Sequence, residues 1–243
     1  MKTVIVIPCY NEAERLPQEE LLRYAQTHPD TALLLANDGS RDNTLEVLKA
    51  LCERYENLHL LDIQPNGGKA EAVRQGILHA TLDLSPDYVA FWDADMATPL
   101  NEVEGFVAWM DKGYDMVTGL RLMRLGAEVS RRPLRHYLGR CFATCASLVL
   151  GLPAYDTQCG AKMFRSELVV TLFNAPFVTH WLFDVELLAR YERAYGKQRA
   201  KEKIYELPLF HWQDVAGSKL KSRDFLKAPA ELLKIWRSYM RKR

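Results

Sequence analysis

The sequence predicts an α/β domain built on a mostly parallel central sheet with helices on both faces. Short, unbroken apolar runs alternate with helical patterns through the first 120 residues, and each run ends in a polar cluster. Strands covered on both faces read as continuous apolar runs rather than as alternating ones. No repeat, linker or low-complexity segment interrupts the series.

The elements follow in order. "TVIVIP" predicts the first strand, and a helix starting near Glu12 or Pro17 carries Leu21, Leu22 and Ala25 on one face. "ALLLAN" predicts the second, followed by "GSRDNT" and a helix with Leu45, Leu48 and Leu51. "LHLLDI" leads through "NGGK" to a helix with Ala72, Val73, Gly76 and Ile77. "YVAFWDAD" precedes Pro99 and a helix with Val103, Phe106, Val107 and Met110, and "YDMVTG" closes the series. The second half is less regular: a helix from about Pro133 to Leu150, a loop "DTQCG", a helix over "FDVELLARYE", a strand near "IYELPLF" and a terminal helix.

The 243 residues, 48% hydrophobic and 26% charged, suit a globular domain, and the net charge of +1 argues against a general polyanion binder. The charge is uneven. Residues 219–243 hold nine Lys and Arg against Asp224 and Glu231, which makes the tail +7 and the rest −6. Five cysteines without a C-x-x-C pair read as reduced thiols in a cytoplasmic protein. The start reads as a strand rather than a signal peptide. The longest apolar stretch, "FATCASLVLGL", falls short of the about 18 residues of a membrane span. A nucleic-acid binder would need a recognisable module or interleaved aromatics, and neither is present.

Ligands of open α/β sheets bind beyond the carboxyl ends of the strands. Here those ends carry Pro8 to Glu12, Asn37 to Ser40, Asn66 to Lys69, and Asp93-Ala94-Asp95. Neither G-x-G-x-x-G after the first strand nor G-x-x-x-x-G-K-[ST] occurs, which disfavours dinucleotide dehydrogenases and P-loop NTPases. Two carboxylates one residue apart suit a hard cation, Mg²⁺ or Mn²⁺, that completes its shell with water and a diphosphate. Taken alone, the pair would be read as turn residues; its companions at neighbouring strand ends favour a site.

"VIPCYNEAERL", "NDGSRDNT", "NGGKAEAVRQGI" and "DADMATP", in that order, resemble the glycosyltransferase family 2 signature on a GT-A fold. "DTQCGAKMFR", "HWLFDVELL" and "HWQDVAGSKLK" resemble a narrower group, the dolichyl-phosphate β-glucosyltransferases. The resemblance spans residues 3–221. It implies a GT-A domain over 1–221; the pattern of the remaining residues predicts a basic amphipathic helix over 222–243. It implies an inverting, metal-dependent transfer of a hexose, glucose from UDP-glucose, to a polyprenyl phosphate. By position, Pro8, Tyr10, Glu12 and Asp38 would hold the nucleoside, with Lys69 near the diphosphate or base edge. Asp93 would contact ribose or metal, and Asp95 the metal. Arg121, Arg131 and Arg135 would hold phosphates, and Asp184 stands where many members keep a catalytic base. Its neighbour Glu186 is read as ordinary surface.

The chain departs from its relatives in three places. Ala97 stands where the mannose synthases have a glutamine, His211 where an asparagine is more familiar, and the amino-terminal anchor of the eukaryotic glucosyl enzymes is not seen. A phosphate acceptor is already mostly dianionic at pH 7, because its second pKa is about 6, so it needs cations rather than a base. The arginine cluster fits that need, against the alternative of a solvated charged face. Asp184 would then orient an Arg or a sugar hydroxyl. Leu232, Leu233, Trp236, Tyr239 and Met240 among Lys and Arg suggest a helix lying on the cytoplasmic face of the membrane, or else docked on its own domain. Two rivals remain: a family 2 enzyme acting on a sugar hydroxyl of a glycan, and a sugar-nucleotide-binding module without turnover.

Overall fold

The computed structural model describes residues 2–130, 133–213 and 222–241, with the backbone alone for 133–136 and 222–226. Its elements in chain order are β1 (Thr3–Cys9), α1 (Gln18–Thr27), β2 (Thr31–Asp38), α2 (Thr44–Cys52), β3 (Leu58–Ile63), α3 (Lys69–Leu84), β4 (Tyr88–Trp92), α4 (Val103–Asp111), β5 (Met116–Leu120), β6 (Glu128–Ser130), α5 (Pro133–Leu150), β7 (Ala161–Arg165), α6 (Val169–Phe173), α7 (Phe183–Tyr195), α8 (Lys197–Lys203), β8 (Ile204–Pro208), β9 (His211–Gln213) and α9 (Ser222–Ile235). A π-helical turn, Trp236–Met240, follows α9.

The chain forms two compact units, Met1–Met96 with Gly160–Pro176, and Ala97–Cys159 with Phe177–Arg243. In the first unit β1 pairs in parallel with β2 and β4, and β2 with β3, so the order is β3-β2-β1-β4. Four strands running the same way put all four carboxyl ends on one edge. β7 then adds beside β4 in the antiparallel sense, with Trp92 opposite Ala161. Val4 to Ile7, Leu33 to Ala36 and Val89 to Trp92 have no exposed surface, as expected of strands covered on both faces. The helical faces follow the sequence pattern: Ala72, Val73, Gly76 and Ile77 are all buried on α3, as are Val103, Phe106 and Met110 on α4.

In the second unit β5 pairs in parallel with β8, and β6 with β9. α5 occupies the predicted span. α9 and its π turn pack against α7. Leu232 and Ile235 are buried there, whereas Leu233 and Trp236 stay exposed. Of the two fates the sequence leaves open for the tail, docking on its own domain is the one observed for its inner face. No helix among the described residues is long and apolar enough to cross a membrane.

Candidate active site

The edge of the first unit is assembled loop upon loop. After β1 the chain turns at Asn11 in a left-handed conformation, φ 51°. Its backbone N–H donates to the Ser40 hydroxyl at 3.0 Å, and its side-chain oxygen accepts from the Arg41 N–H at 2.8 Å. The Glu12 N–H donates to the Thr44 hydroxyl at 2.7 Å. These bonds fasten the "PCYNE" segment to the "NDGSRDNT" segment. Glu12 itself is buried, and its carboxylate is forked by Arg15 at 2.7 and 3.0 Å. Pro8, opposite Ala36 in the ladder, and Tyr10 line the same edge and are half-buried.

Asp38 closes β2 and is 2% exposed. Its two oxygens accept from the N–H of Gly67 at 2.8 Å, the N–H of Gly68 at 2.9 Å and the Asn66 amide at 2.8 Å. These charge-assisted bonds shape the "NGG" loop, and the carboxylate sits at the favourable amino-terminal end of α3. Gly39 completes the fit: its φ is +59°, and a Cβ there would stand 2.6 Å from the Asn66 nitrogen. Asp38 is thus the anchor of the loop that delivers Lys69.

Lys69 opens α3 and places Nζ 2.5 Å from Oδ1 of Asp93, the two side chains being 43% and 35% exposed. The third and fourth strand ends therefore converge on one ion pair. The Asp93 N–H donates to the Gly160 carbonyl at 3.0 Å, and its carboxylate fills the space a side chain at Gly160 would occupy. The turn that follows holds Met96 at φ 48°, closed by its N–H on the Asp93 carbonyl at 3.1 Å. Asp95, half-buried, stands in that turn.

The resemblance carried by the strand-end motifs implies a divalent cation. No group of three or more His, Cys, Asp and Glu side chains able to hold a metal occurs among the described residues. Two carboxylates with oxygen donors only, one of them seated in a glycine cradle, fit an ion that keeps water and takes its remaining ligands from a diphosphate. The arrangement fits Mg²⁺ or Mn²⁺ and no all-protein cage. His211 lies 3.5 Å from Glu102 and 3.7 Å from Glu128.

The second unit gathers the other predicted residues. Arg121 forks onto Asp156, with Nε and Nη2 donating at 2.7 Å each, and its N–H reaches the same carboxylate at 3.1 Å. Asp156 is held by its own N–H on Glu206 at 2.7 Å. This edge of the guanidinium must exchange Asp156 for any phosphate it takes up. Asp184, in the first turn of α7, is 4% exposed, and Glu186 is fully buried. That corrects the expectation that Glu186 is ordinary surface: the loop preceding α7 and the tail fold over that face of the helix. Arg131 and the side chain of Arg135 lie outside the described residues, as does most of "HWQDVAGSKLK" beyond Gln213. The sequence reading missed Gly160 and Asp156 as site residues, although both stand in the quoted "DTQCGAKMFR". Their roles appear only once Gly160 is seen under Asp93 and Asp156 beside Arg121. Cys159 is buried, as a loop-packing residue should be.

A doubly covered, mostly parallel sheet with a carboxylate pair and a glycine-rich loop at its strand ends is the architecture of a GT-A glycosyltransferase. Glucosyl-3-phosphoglycerate synthase from Mycobacterium tuberculosis, crystallised with Mn²⁺, UDP and glucosyl-3-phosphoglycerate, shares the fold with a TM-score of 0.69. The match has 18% identity and covers 96% of this chain and 79% of that one. The same enzyme with Mn²⁺, UDP-glucose and phosphoglyceric acid also gives 0.69, at 17% identity over 97% and 79%.

The chain belongs to glycosyl transferase family 2, whose model matches residues 4–173, and it is a glycosyltransferase. It is 31% identical to a dolichyl-phosphate beta-glucosyltransferase of Trichomonas vaginalis, over 95% of this chain and 72% of that protein. The human dolichyl-phosphate beta-glucosyltransferase is 30% identical over 89% and 68%. That of Saccharomyces cerevisiae is 28% identical over 97% and 74%.

Proposed function

We propose that this enzyme transfers glucose from UDP-glucose to a polyprenyl phosphate with inversion at the anomeric carbon, assisted by Mg²⁺ or Mn²⁺. The observation that carries the reading is the convergence of the Asp38-anchored loop, Lys69, Asp93 and Asp95 on one sheet edge, in a chain related to dolichyl-phosphate beta-glucosyltransferases.

Pro8, Tyr10 and Glu12 border the nucleoside, with Asp38 fixing the loop against which it lies. Lys69, already paired with Asp93 at 2.5 Å, offers its ammonium to the diphosphate. Asp93 and Asp95 would hold the cation, which when bound supplies positive charge to the departing diphosphate. A phosphate oxygen of the acceptor attacks C1 of glucose in line, and the bond from C1 to the UDP oxygen breaks. The acceptor brings its own negative charge, with a second pKa of about 6, so no side chain has to remove a proton. Arg121, Arg131 and Arg135 guide that phosphate, Arg121 by exchanging it against Asp156. Asp184 orients a sugar hydroxyl or an arginine.

A lipid acceptor brings the reaction to a membrane surface, which we read as the cytoplasmic face. The outward face of α9 and its π turn supports this: Leu233 and Trp236 are exposed beside Lys234 and Arg237.

The test is a donor-by-acceptor assay with Mg²⁺ or Mn²⁺, pairing UDP-glucose, UDP-galactose, UDP-N-acetylglucosamine and GDP-mannose with a short polyprenyl phosphate. Glucosyl-lipid formed from UDP-glucose alone is the expected result. Donor hydrolysis without lipid product would move the acceptor to a glycan hydroxyl. Asp184→Asn would then abolish turnover, because a hydroxyl needs a base.

A further inference from the structure

Helix α7 carries Asp184 in its first turn, yet its amino-terminal end is held from outside the helix. The cap residue Leu182 makes no side-chain capping bond. The N–H groups of Trp181 and Leu182 instead donate to one oxygen of Glu231, at 3.3 and 3.0 Å. Glu231 stands on α9, 49 residues further along the chain.

The segment just before is held by a second carboxylate. Fully buried Glu186 accepts from the N–H of Val178 at 3.1 Å and from the N–H and hydroxyl of Thr179 at 3.0 Å each. Its remaining partners are Arg190, at 2.7 and 3.1 Å, and the phenol of Tyr239, at 2.8 Å. Tyr239 belongs to the π turn after α9, and Arg193 ties the same turn down by donating to the Ser238 carbonyl at 2.6 Å. The tail therefore reaches the Asp184 turn twice, directly through Glu231 and indirectly through Tyr239 on Glu186. The tail covers apolar surface with Ala228, Leu232 and Ile235, which by itself calls for no hydrogen bond to the α7 end. Carboxylate-to-N–H bonds are directional and strong, and they fix the place of a backbone rather than merely burying it.

We propose that α9 and its π turn position the Asp184 turn for the reaction, with Glu231 and Tyr239 as positioning residues. The proposal rests on the role given to Asp184 above.

A double-mutant cycle on the full chain tests it, with kcat and KM measured for UDP-glucose and polyprenyl phosphate and thermal unfolding recorded for each variant. Glu231→Ala should lower kcat about tenfold while leaving the donor KM within about twofold. Glu231→Gln, whose amide oxygen can accept the same two N–H groups, should recover most of the loss. Tyr239→Phe should lower kcat in the same sense, by a smaller factor. In an Asp184→Asn background Glu231→Ala should cost little more, because the two residues act through one element. Should Glu231→Ala fail to fold, Glu231→Gln and Tyr239→Phe are carried through the same cycle. Equal losses in both backgrounds, or a loss of kcat that tracks the folded fraction, would refute positioning and leave the functional reading standing. Parent-like turnover by Asp184→Asn would remove the role of Asp184, and the positioning proposal with it, while the reading of a phosphate acceptor would stand.

Discussion

Replacing Gly160 with alanine probes the seat of Asp93 with one methyl group. A Cβ at this position would lie 1.9 Å from Oδ2, 2.2 Å from Cγ and 2.7 Å from Oδ1 of Asp93. Real Cβ contacts essentially never fall under 3.0 Å, so the carboxylate has to retreat by about 1 Å. The backbone bond between the Asp93 N–H and the Gly160 carbonyl need not break. Asp93 is 35% exposed and can swing toward water, so the cost to folding stays near the low end of overpacking, about 1–2 kcal/mol. The lost pairing with Lys69, exposed at both ends, adds at most about 1 kcal/mol. A melting point lower by about 3–9 °C is expected. Catalysis is far less tolerant. A positioning group misplaced by about 1 Å can cost about 100-fold in rate, or about 2.7 kcal/mol of transition-state stabilisation. The assay is kcat/KM for UDP-glucose at saturating Mn²⁺, set beside thermal unfolding of the same preparation. A well-folded Gly160→Ala enzyme with parent-like kcat/KM would refute the reasoning, since the carboxylate would then have no need of its seat.

Three further outcomes are expected. Asp38→Asn replaces one of two accepting oxygens by an NH₂ that faces N–H donors of the "NGG" loop, and should destabilise by about 1–3 kcal/mol in urea titrations while raising the donor KM; an unchanged midpoint would argue against the anchor. Burial, then the hydrogen bond to Glu186, raises the Tyr239 phenol above its ordinary value of 10.0. A raised folded-state pKa gives stability fully present below pH 10 and lost as pH rises toward the folded value, so tryptic release of the tail should climb above pH 10 more steeply in the parent than in Tyr239→Phe, with Glu186 and Arg190 the charges that face the phenol. Parallel profiles would exclude the phenol. Iodoacetamide at pH 8 should label the exposed Cys141 and Cys145 first and spare Cys52, whose thiol burial pushes up to about 11, and buried Cys9 and Cys159; peptide mapping reads the order.

Most of the sheet was legible because parallel strands covered on both faces must be apolar along their whole length. "TVIVIP", "ALLLAN" and the apolar part of "YVAFWDAD" become such strands, and α5 takes its predicted span; "LHLLDI" also becomes a strand, but at the sheet edge with its middle residues partly exposed. The polar strand ends were legible for the same reason: a charge directly after a buried run has to leave the core at one edge. The antiparallel β7, the β6–β9 ribbon and the short α6 and α8 were not, since their few residues carry too little periodicity to register.

Within the candidate site, the sequence alone determined that Asp38, Lys69, Asp93 and Asp95 share an edge. Chain direction and strand order are enough for that. Tertiary structure decided what each does there. Asp38 is spent on backbone N–H groups, Lys69 is paired with Asp93, and Gly160 supplies the space Asp93 occupies. Arg121 is forked by Asp156, 35 residues away, and α7 is capped by Glu231, 49 residues beyond it. Partners so distant in the chain leave no periodic trace, because a hydrogen bond depends on where two atoms meet in space and not on how many residues separate them.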